Sequence, residues 1–187
     1  MKRLVIITIG KTHSGKTTFA RALERALPNS FIMDQDNQAE FINTHYEKLQ
    51  LTEGPNILKH GLSKFTVDYA KEHTTLHLII CNSNRSKNGR LYLLNEVFPQ
   101  HKYVRILVHF DIPDDVLYER VARSKRSTNI FRGNYSSFEE VFNRQQAESL
   151  HEDVMDPIEN EADYLFVIRD NTETDSVIKE IIHITKD

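Results

Sequence analysis

The sequence predicts a three-layer α/β fold, in which a five-stranded parallel sheet lies between two layers of helices. Apolar runs rich in β-branched residues alternate along the chain with stretches whose apolar residues recur at helical spacing. The first run, residues 3–9, shows no polar alternation, which is typical of a strand buried on both faces. A helix is predicted in every connection between strands, and such crossovers join parallel strands.

The first half of the chain contains three of the five strands. The helix after the first strand is ended by Pro28–Asn29. In order, the predicted elements are a strand at 3–9, a helix at 15–27, a strand at 31–33, helices at 38–49 and 57–73, and a strand at 76–81. The buried face of the last of these helices is expected to carry Leu58, Leu62, Phe65 and Tyr69.

The second half supplies the other two strands. No repeat or linker interrupts the chain, so we expect one domain over residues 1–187. The predicted elements are a helix ending near Phe98–Pro99, a strand at 103–110, a helix at 114–126, a basic polar stretch at 123–137, a helix at 138–152, a strand at 164–168 and a helix at 175–184.

The composition is that of a soluble globular protein with a nearly balanced charge. The chain has 187 residues, 24 Lys and Arg against 27 Asp and Glu, and a single cysteine. One cysteine cannot form an internal disulfide framework or a cysteine-rich zinc site, and no apolar run approaches the roughly 20 residues of a membrane helix. We therefore expect a cytoplasmic protein with no membrane partner and no specific binding to duplex nucleic acid. Any recognition of phosphate must be local.

The strongest chemical signal is the sequence GKTHSGKT, which fits the pattern G-x-x-x-x-G-K-[ST] between a predicted strand and a predicted helix. Its glycines let backbone N–H groups curl around a polyphosphate, and the following helix adds its positive N-terminal end. Lys16 can reach the β- and γ-phosphates, and the Thr17 hydroxyl is a candidate magnesium ligand. The residues expected to bind a nucleoside triphosphate are Gly10, Lys11, Thr12, His13, Ser14, Gly15, Lys16, Thr17 and Thr18.

This loop does not say what is done with the nucleotide. It could also be an ordinary tight turn, and His13 could be a spacer rather than a catalytic residue. No guanine-binding N-K-x-D motif is present, which argues against a GTPase. A lone phosphate loop in a short chain argues against a large oligomeric ATPase motor.

Asp34 and Asp36 end the second strand, at the sheet edge where ligands bind in doubly wound folds. One carboxylate can serve the magnesium side, and the other can orient an acceptor hydroxyl and take its proton. Both are therefore candidates for contact with the acceptor. Alternatively, they form a solvated turn or cap the next helix.

With these aspartates, the chain resembles small-molecule kinases of the shikimate and gluconate kinase type. Its later part resembles the polynucleotide-kinase-like and zeta-toxin-like P-loop kinases more closely. The matching residues are Asn82–Asn84 after the third strand, Arg90 in the next helix, Pro113 and Arg120, Arg123 and Arg126, Arg144–Gln145, Pro157, and Glu161–Asp163.

The resemblance implies a P-loop NTPase fold with strand order 2-3-1-4-5 and a lid at about residues 123–137. It implies ATP as phosphoryl donor, Mg²⁺ as cofactor and an acceptor covered by residues 37–75. Asp36 is then the base that activates the acceptor, and Arg123 and Arg126 are catalytic lid residues near adenine and the transferring phosphate.

One departure concerns the end of the third strand, where these kinases usually carry an aspartate that holds magnesium through water. Cys81 and Asn82 stand there instead. Either Asp34 takes over the metal-side role, or the metal is held more weakly and turnover is slow. Asp111 is a nearby acidic alternative, although its place before Pro113 favours a role at the start of a helix.

The acceptor itself is not identified by the sequence. Arg85 and Arg90 follow the third strand, where they could contact an anionic acceptor or lie on a surface loop. The leading hypothesis is an ATP- and Mg²⁺-dependent kinase acting on a small molecule, nucleoside, nucleotide or nucleic-acid end. The alternative is an ATP-binding switch with little or no transferase activity.

Overall fold

The computed structural model describes residues 2–133 and 135–185. Met1, Asn134, Lys186 and Asp187 lie outside the described residues, and Asn134 falls in the predicted lid. The five strands pair in parallel in the order β2-β3-β1-β4-β5, which confirms the predicted sheet. The strands are β1 (Arg3–Ile9), β2 (Ser30–Asp34), β3 (His77–Cys81), β4 (Tyr103–Phe110) and β5 (Tyr164–Ile168).

Helices fill every connection between the strands. A π-helical turn, Leu93–Val97, extends α4, and short 3₁₀ turns lie at Glu47–Leu49, Glu159–Glu161 and Asn171–Glu173. No helix within the described residues is long and apolar enough to cross a membrane. The helices are α1 (Lys16–Ala26), α2 (Gln35–His45), α3 (Ile57–His73), α4 (Lys87–Tyr92), α5 (Asp114–Ala122), α6 (Phe138–Glu148) and α7 (Thr174–Ile184).

Two hydrophobic cores lie on the two faces of the sheet. Successive side chains of β1 alternate between them, as the period of a strand requires: Leu4 and Ile6 join one core, and Val5 and Ile7 join the other. The first core packs the sheet against α1, α5, α6 and α7. The second packs it against α3 and the π-helical turn. Because β2, β3 and β1 are adjacent parallel strands, their carboxyl ends are neighbours at one edge of the sheet.

Four predicted helix boundaries are wrong by three or more residues. Two of them belong to α2, which ends at His45 rather than at 49 because the chain continues as the 3₁₀ turn Glu47–Leu49. α2 begins at Gln35 rather than at 38, because the Asp34 side chain accepts a hydrogen bond from the Asp36 N–H and caps the helix. α5 ends at Ala122, before the basic stretch, rather than at 126. α6 ends at Glu148 rather than at 152, where Ser149 closes its last turn through bonds to preceding carbonyls.

The predicted buried face of α3 is also wrong. Phe65 and Tyr69 are 69% and 55% exposed, whereas Ser63, Val67 and Ala70 are buried. Small side chains form the contact face because α3 lies close to α2 and β2. The aromatic residues of this helix therefore face away from the core, although their spacing suited it.

Candidate functional site

The loop between β1 and α1 has the shape that a phosphate cradle requires. Gly10 adopts φ 149°, and a Cβ there would lie 3.0 Å from Phe110 and from the Ser14 hydroxyl. Gly15 adopts φ 103° immediately before α1. Both positions require glycine, the first for space and both for backbone conformation. The N-terminus of α1 consequently follows directly on the loop, where its dipole favours an anion.

Lys16, the lysine of the motif, folds over this loop. Its ammonium donates to the Lys11 carbonyl at 2.5 Å and to the Ser14 hydroxyl at 3.2 Å. Desolvation lowers the pKa of Lys16 to about 8, although the nearby carboxylates of Asp36 and Asp34 raise it. A polyphosphate entering the loop would replace the carbonyl as partner of this ammonium and raise its pKa.

Thr17 and Asp34 meet beside the loop. The Thr17 hydroxyl donates to Asp34 Oδ2 at 3.3 Å, and burial raises the pKa of the Asp34 carboxyl. Hydroxyl and carboxylate oxygens are the ligand types that Mg²⁺ prefers. Within residues 2–133 and 135–185, no group of three or more His, Cys, Asp or Glu side chains could hold a metal ion. A Mg²⁺ at this pair would therefore draw its other ligands from phosphate and water, as Mg²⁺ commonly does.

The two residues that replace the expected aspartate are occupied by structural contacts. The Asn82 side-chain oxygen accepts a hydrogen bond from the Gln35 N–H at 3.2 Å, at the start of α2. Burial raises the pKa of the Cys81 thiol to about 12, which keeps it neutral, and its sulfur lies 3.7 Å from the Thr17 hydroxyl. Neither residue supplies a charged group near Thr17.

Asp36 is joined to the predicted lid by an ion pair. Its carboxylate accepts a hydrogen bond from the Arg126 guanidinium at 3.0 Å, and both side chains are more than 40% exposed. The same guanidinium lies over the ring of Phe138, 4.9 Å from its centroid. The structure thus brings Asp36 and Arg126 together, and both act electrostatically on the Lys16 ammonium, as Asp34 does.

Two further arginines from α5 and its end have different environments. Arg123 is highly exposed and pairs loosely with Glu119 on its own helix, at 3.7 Å. Arg120 donates to the His13 carbonyl at 3.3 Å. Arg120 rather than Arg123 therefore touches the phosphate loop in this structure.

Arg90 does not lie where the sequence predicts it. Its side chain is fully buried and forms a two-bond ion pair with Glu161, at 2.9 and 3.0 Å. The remaining guanidinium nitrogen donates to the carbonyls of Asn84 and Arg85. Because it has no exposed surface, Arg90 cannot contact an acceptor without unfolding this region, and the expected acceptor-binding role is wrong for this residue.

Arg85 lies beside the phosphate loop but not with Asp36. It contacts the Ser149 hydroxyl and, at 3.7 Å, the Glu148 carboxylate. With Gly10 and Lys11 it lines a cavity of about 400 Å³ at the ends of β1 and β4. Asp36 does not contribute to the lining of that cavity.

The other loop residues make contacts that hold the loop to its surroundings. The Thr12 N–H donates to the side-chain oxygen of buried Gln145 at 2.7 Å. Lys11 pairs with Asp114 at 2.6 Å. Ser14 is buried, whereas Thr18 is exposed on α1. The Gln145 contact was missed, although Arg144–Gln145 stood out in the resemblance, because nothing in the sequence pairs a glutamine with one backbone N–H.

Lys59, in the first turn of α3, is a second group that sequence reasoning missed. Burial lowers the pKa of its ammonium, the Asp36 carboxylate raises it, and Arg132 and Arg144 lower it further. Lys59 thus shares an electrostatic neighbourhood with Asp36 and the predicted lid. No sequence signal could have found it, since a single lysine in an amphipathic helix is usually a solvent-facing residue.

Solved structures with the same fold cover almost the whole chain. A kinase from Chloroflexus aurantiacus, itself described as putative, aligns with 100% of this chain and 98% of its own, at 15% identity and a TM-score of 0.63. Shikimate kinase from Bacteroides thetaiotaomicron aligns over 98% and 99% of the two chains, at 16% identity and a TM-score of 0.58. APS kinase CysC from Mycobacterium tuberculosis, in complex with AMPPNP and APS, aligns over 100% and 99%, at 14% identity and a TM-score of 0.59.

These similarities confirm the resemblance to P-loop kinases at the level of the fold. A search of curated protein sequences found no match to the chain. A family model described as an AAA domain matches residues 5–149, which include the phosphate loop, both aspartates and the predicted lid. By this match, the chain belongs to the AAA domain family.

Proposed function

We propose that the protein is an ATP- and Mg²⁺-dependent kinase that transfers the γ-phosphate to a hydroxyl-bearing acceptor. The observation that carries this proposal is the arrangement around the phosphate loop. One end of the loop is lined by Lys16, Thr17 and Asp34. Asp36 lies two residues after Asp34 and accepts a hydrogen bond from Arg126. Phosphoryl transfer needs three groups in one place: a loop that binds the phosphates, a carboxylate for the acceptor and a cation for the phosphoryl group that is transferred.

The loop and Thr17 account for the donor side of the reaction. Backbone N–H groups at the start of α1 would bind the phosphates, and Lys16 would hold the β- and γ-phosphate oxygens. Thr17 and Asp34 would hold Mg²⁺, which neutralises phosphate charge when it is bound. ATP is favoured over GTP by the missing guanine motif and by the resemblance to ATP-dependent kinases.

Asp36 and Arg126 account for the transfer step. A carboxylate within reach of the acceptor hydroxyl orients it and takes its proton. An arginine beside it stabilises the charge that spreads over the transferring phosphoryl group. The ion pair of 3.0 Å uses Oδ2 of Asp36, and the other oxygen of the carboxylate can accept the hydrogen bond of the acceptor hydroxyl.

The cations on the acceptor side favour an acceptor that carries an anionic group. Burial lowers the pKa of Lys59, the Asp36 carboxylate raises it, and the guanidinium groups of Arg132 and Arg144 lower it. Arg132 donates to the carbonyls of Gly54 and Pro55, which brings the lid segment to the start of α3. A carboxylate or phosphate on the acceptor would pair with Lys59 and relieve its desolvation. Lys59 replaces Arg90 as the proposed acceptor-binding cation.

The test is transfer of labelled γ-phosphate from Mg·ATP to a mixed panel of acceptors. The panel contains nucleosides, mononucleotides, 5′-hydroxyl oligonucleotides and small hydroxy acids, with Lys16→Ala as the blank. We expect one labelled product, absent from the blank, among the acceptors that carry an anionic group. If the label appeared only as free phosphate with every acceptor in the panel, the proposed kinase activity would be contradicted.

A second candidate function is an ATP-binding switch, which the replacement of the strand-end aspartate by Asn82 favours. Asn82 offers an amide oxygen without charge, and that oxygen is already bonded to the Gln35 N–H. Tight ATP binding without transfer to any member of the panel would favour this switch. If Asn82→Asp then gave measurable transfer, the protein would be a kinase weakened at its metal site.

A further inference from the structure

The imidazole of His13, in the middle of the phosphate loop, is tied to the lid segment, residues 123–137. His13 has φ 60°, one of two non-glycine residues with positive φ among the described residues. Its Nε2 lies 2.7 Å from the Ser124 hydroxyl, and its Nδ1 lies 2.9 Å from the Thr12 hydroxyl. A left-handed backbone conformation is uncommon for residues other than glycine, although histidine adopts it more readily than most, and the two hydrogen bonds help to hold His13 in it.

The same ring contacts the other end of the segment. The ring of Phe138, the first residue of α6, meets His13 edge-on at 4.8 Å between centroids. Ser124 is the second residue of the lid segment and Phe138 directly follows its last one, so one side chain touches both ends. The Arg126 guanidinium lies over the Phe138 ring, 4.9 Å from its centroid. The rings of Phe138 and Phe131 pack with 4.8 Å between their centroids.

We propose that His13 is a positioning residue that holds both ends of the lid segment on the phosphate loop and thereby places Arg126 beside Asp36. The path is short. His13 binds Ser124, whose hydroxyl also accepts the Arg126 N–H at 3.3 Å, and the Arg126 side chain pairs with Asp36. We call the contacts of His13 with Ser124 and Phe138 the clamp. Its effect on phosphoryl transfer rests on the proposed function, whereas the clamp itself is a property of the phosphate loop and the lid segment.

The charges around His13 suit a neutral ring. Burial lowers its pKa to about 4, and Arg126, Lys16 and Arg120 lower it in the same direction. A neutral imidazole has one N–H and one acceptor nitrogen, and the two hydroxyl partners can each donate or accept. Either tautomer therefore forms both bonds, and the clamp holds at neutral pH.

Trypsin cleavage of the folded protein tests the clamp without any catalytic turnover. The lid segment offers exposed sites after Arg123, Lys125 and Arg126. His13→Asn removes the ring, and with it the contacts to Ser124, Thr12 and Phe138, but tolerates positive φ. Ser124→Ala removes the bond to His13 and the bond from the Arg126 N–H, without changing the phosphate loop. Cleavage within α1, after Arg21 and Arg25, reports general unfolding and serves as the internal control.

We expect both variants to be cut in the lid segment at least about fivefold faster than the wild type, since cleavage follows the open population and each variant loses at least one hydrogen bond. The double variant should be cut less fast than the product of the two single effects, because both changes break the bond between His13 and Ser124 and each breaks further contacts alone. Unchanged cleavage in both single variants, or increases that multiply in the double variant, would overturn the proposal.

A nucleotide arm separates a positioning role from a merely structural one. Mg²⁺ with a non-hydrolysable ATP analogue should slow lid cleavage in the wild type, and by a smaller factor in Ser124→Ala. Equal protection in both proteins would overturn the coupling. If the clamp is confirmed while no acceptor is phosphorylated, the proposed function fails and the clamp stands.

Discussion

The fold lowers the pKa of Lys16, the lysine that the proposed function places on the phosphates of the nucleotide. Its ammonium is enclosed by the loop, and desolvation lowers its pKa to about 8. The charged form is present at neutral pH and is lost as the pH rises through 8. Because a polyphosphate binds the charged form, nucleotide binding should weaken above pH 8 and should take up protons there.

We predict an uptake of about half a proton when ADP binds at pH 8, since the pH then equals the pKa of free Lys16 and the phosphates restore its charge. Calorimetry in two phosphate-free buffers of different ionisation enthalpy measures this uptake. Lys16→Arg is the matched control, because a guanidinium stays charged at this pH and takes up nothing. A wild-type binding enthalpy that does not depend on the buffer would contradict the pKa assignment.

Residues with a fixed motif spacing could be predicted from the sequence, and residues defined by a tertiary contact could not. The positions of Lys16 and Thr17 follow from the loop pattern alone. Arg90 and Lys59 show the opposite case. Each is a cation on a helix near the sheet edge, and only the packed structure shows that the first is buried against Glu161 while the second lies near Asp36.

At the scale of the elements, helix ends were harder to predict than helix existence. The residues Asp34–Gln35–Asp36 suggested the end of a strand, with carboxylates that either serve the metal and the acceptor or cap the next helix. In the structure, Asp34 both ends β2 and caps α2, so one carboxylate oxygen is used by the Asp36 N–H. Its second oxygen still faces Thr17. The cap therefore positions the carboxylate at the candidate metal site.

The pair of Arg90 and Glu161 joins α4 to the segment before β5. Both side chains are at least 95% buried, so neither can be solvated if the other is removed. We predict that Arg90→Met lowers the free energy of unfolding by about 3–5 kcal/mol, measured by urea denaturation. The double variant Arg90→Met with Glu161→Leu should recover most of this loss.

A loss below about 1 kcal/mol in Arg90→Met would mean that the pair contributes no more than an exposed one. Lys64→Met is a suitable control, because its pair with Asp68 lies on the surface of α3 and should contribute little. The comparison separates a buried ion pair from a surface one within the same protein.

For the whole molecule, the sheet order was predictable and the contacts across the site were not. Apolar runs and helical crossovers define five parallel strands, and the resemblance supplies their order. That order brings the ends of β1, β2 and β3 together with the phosphate loop. The position of Asn129 and Phe131 beside α2 depends on contacts between residues distant in the sequence, since Asn43 donates to both of their carbonyls.

In the proposed reaction, the phosphate loop, Asp36 and the lid segment form one reaction site. The most direct test is single-turnover transfer of γ-phosphate to the acceptor found in the panel, compared between the wild type and Asp36→Asn. We expect the variant to transfer phosphate about 10²- to 10⁴-fold more slowly, while its affinity for Mg·ATP stays close to that of the wild type. Equal transfer rates in the two proteins would contradict the assignment of Asp36 and, with it, the proposed reaction site.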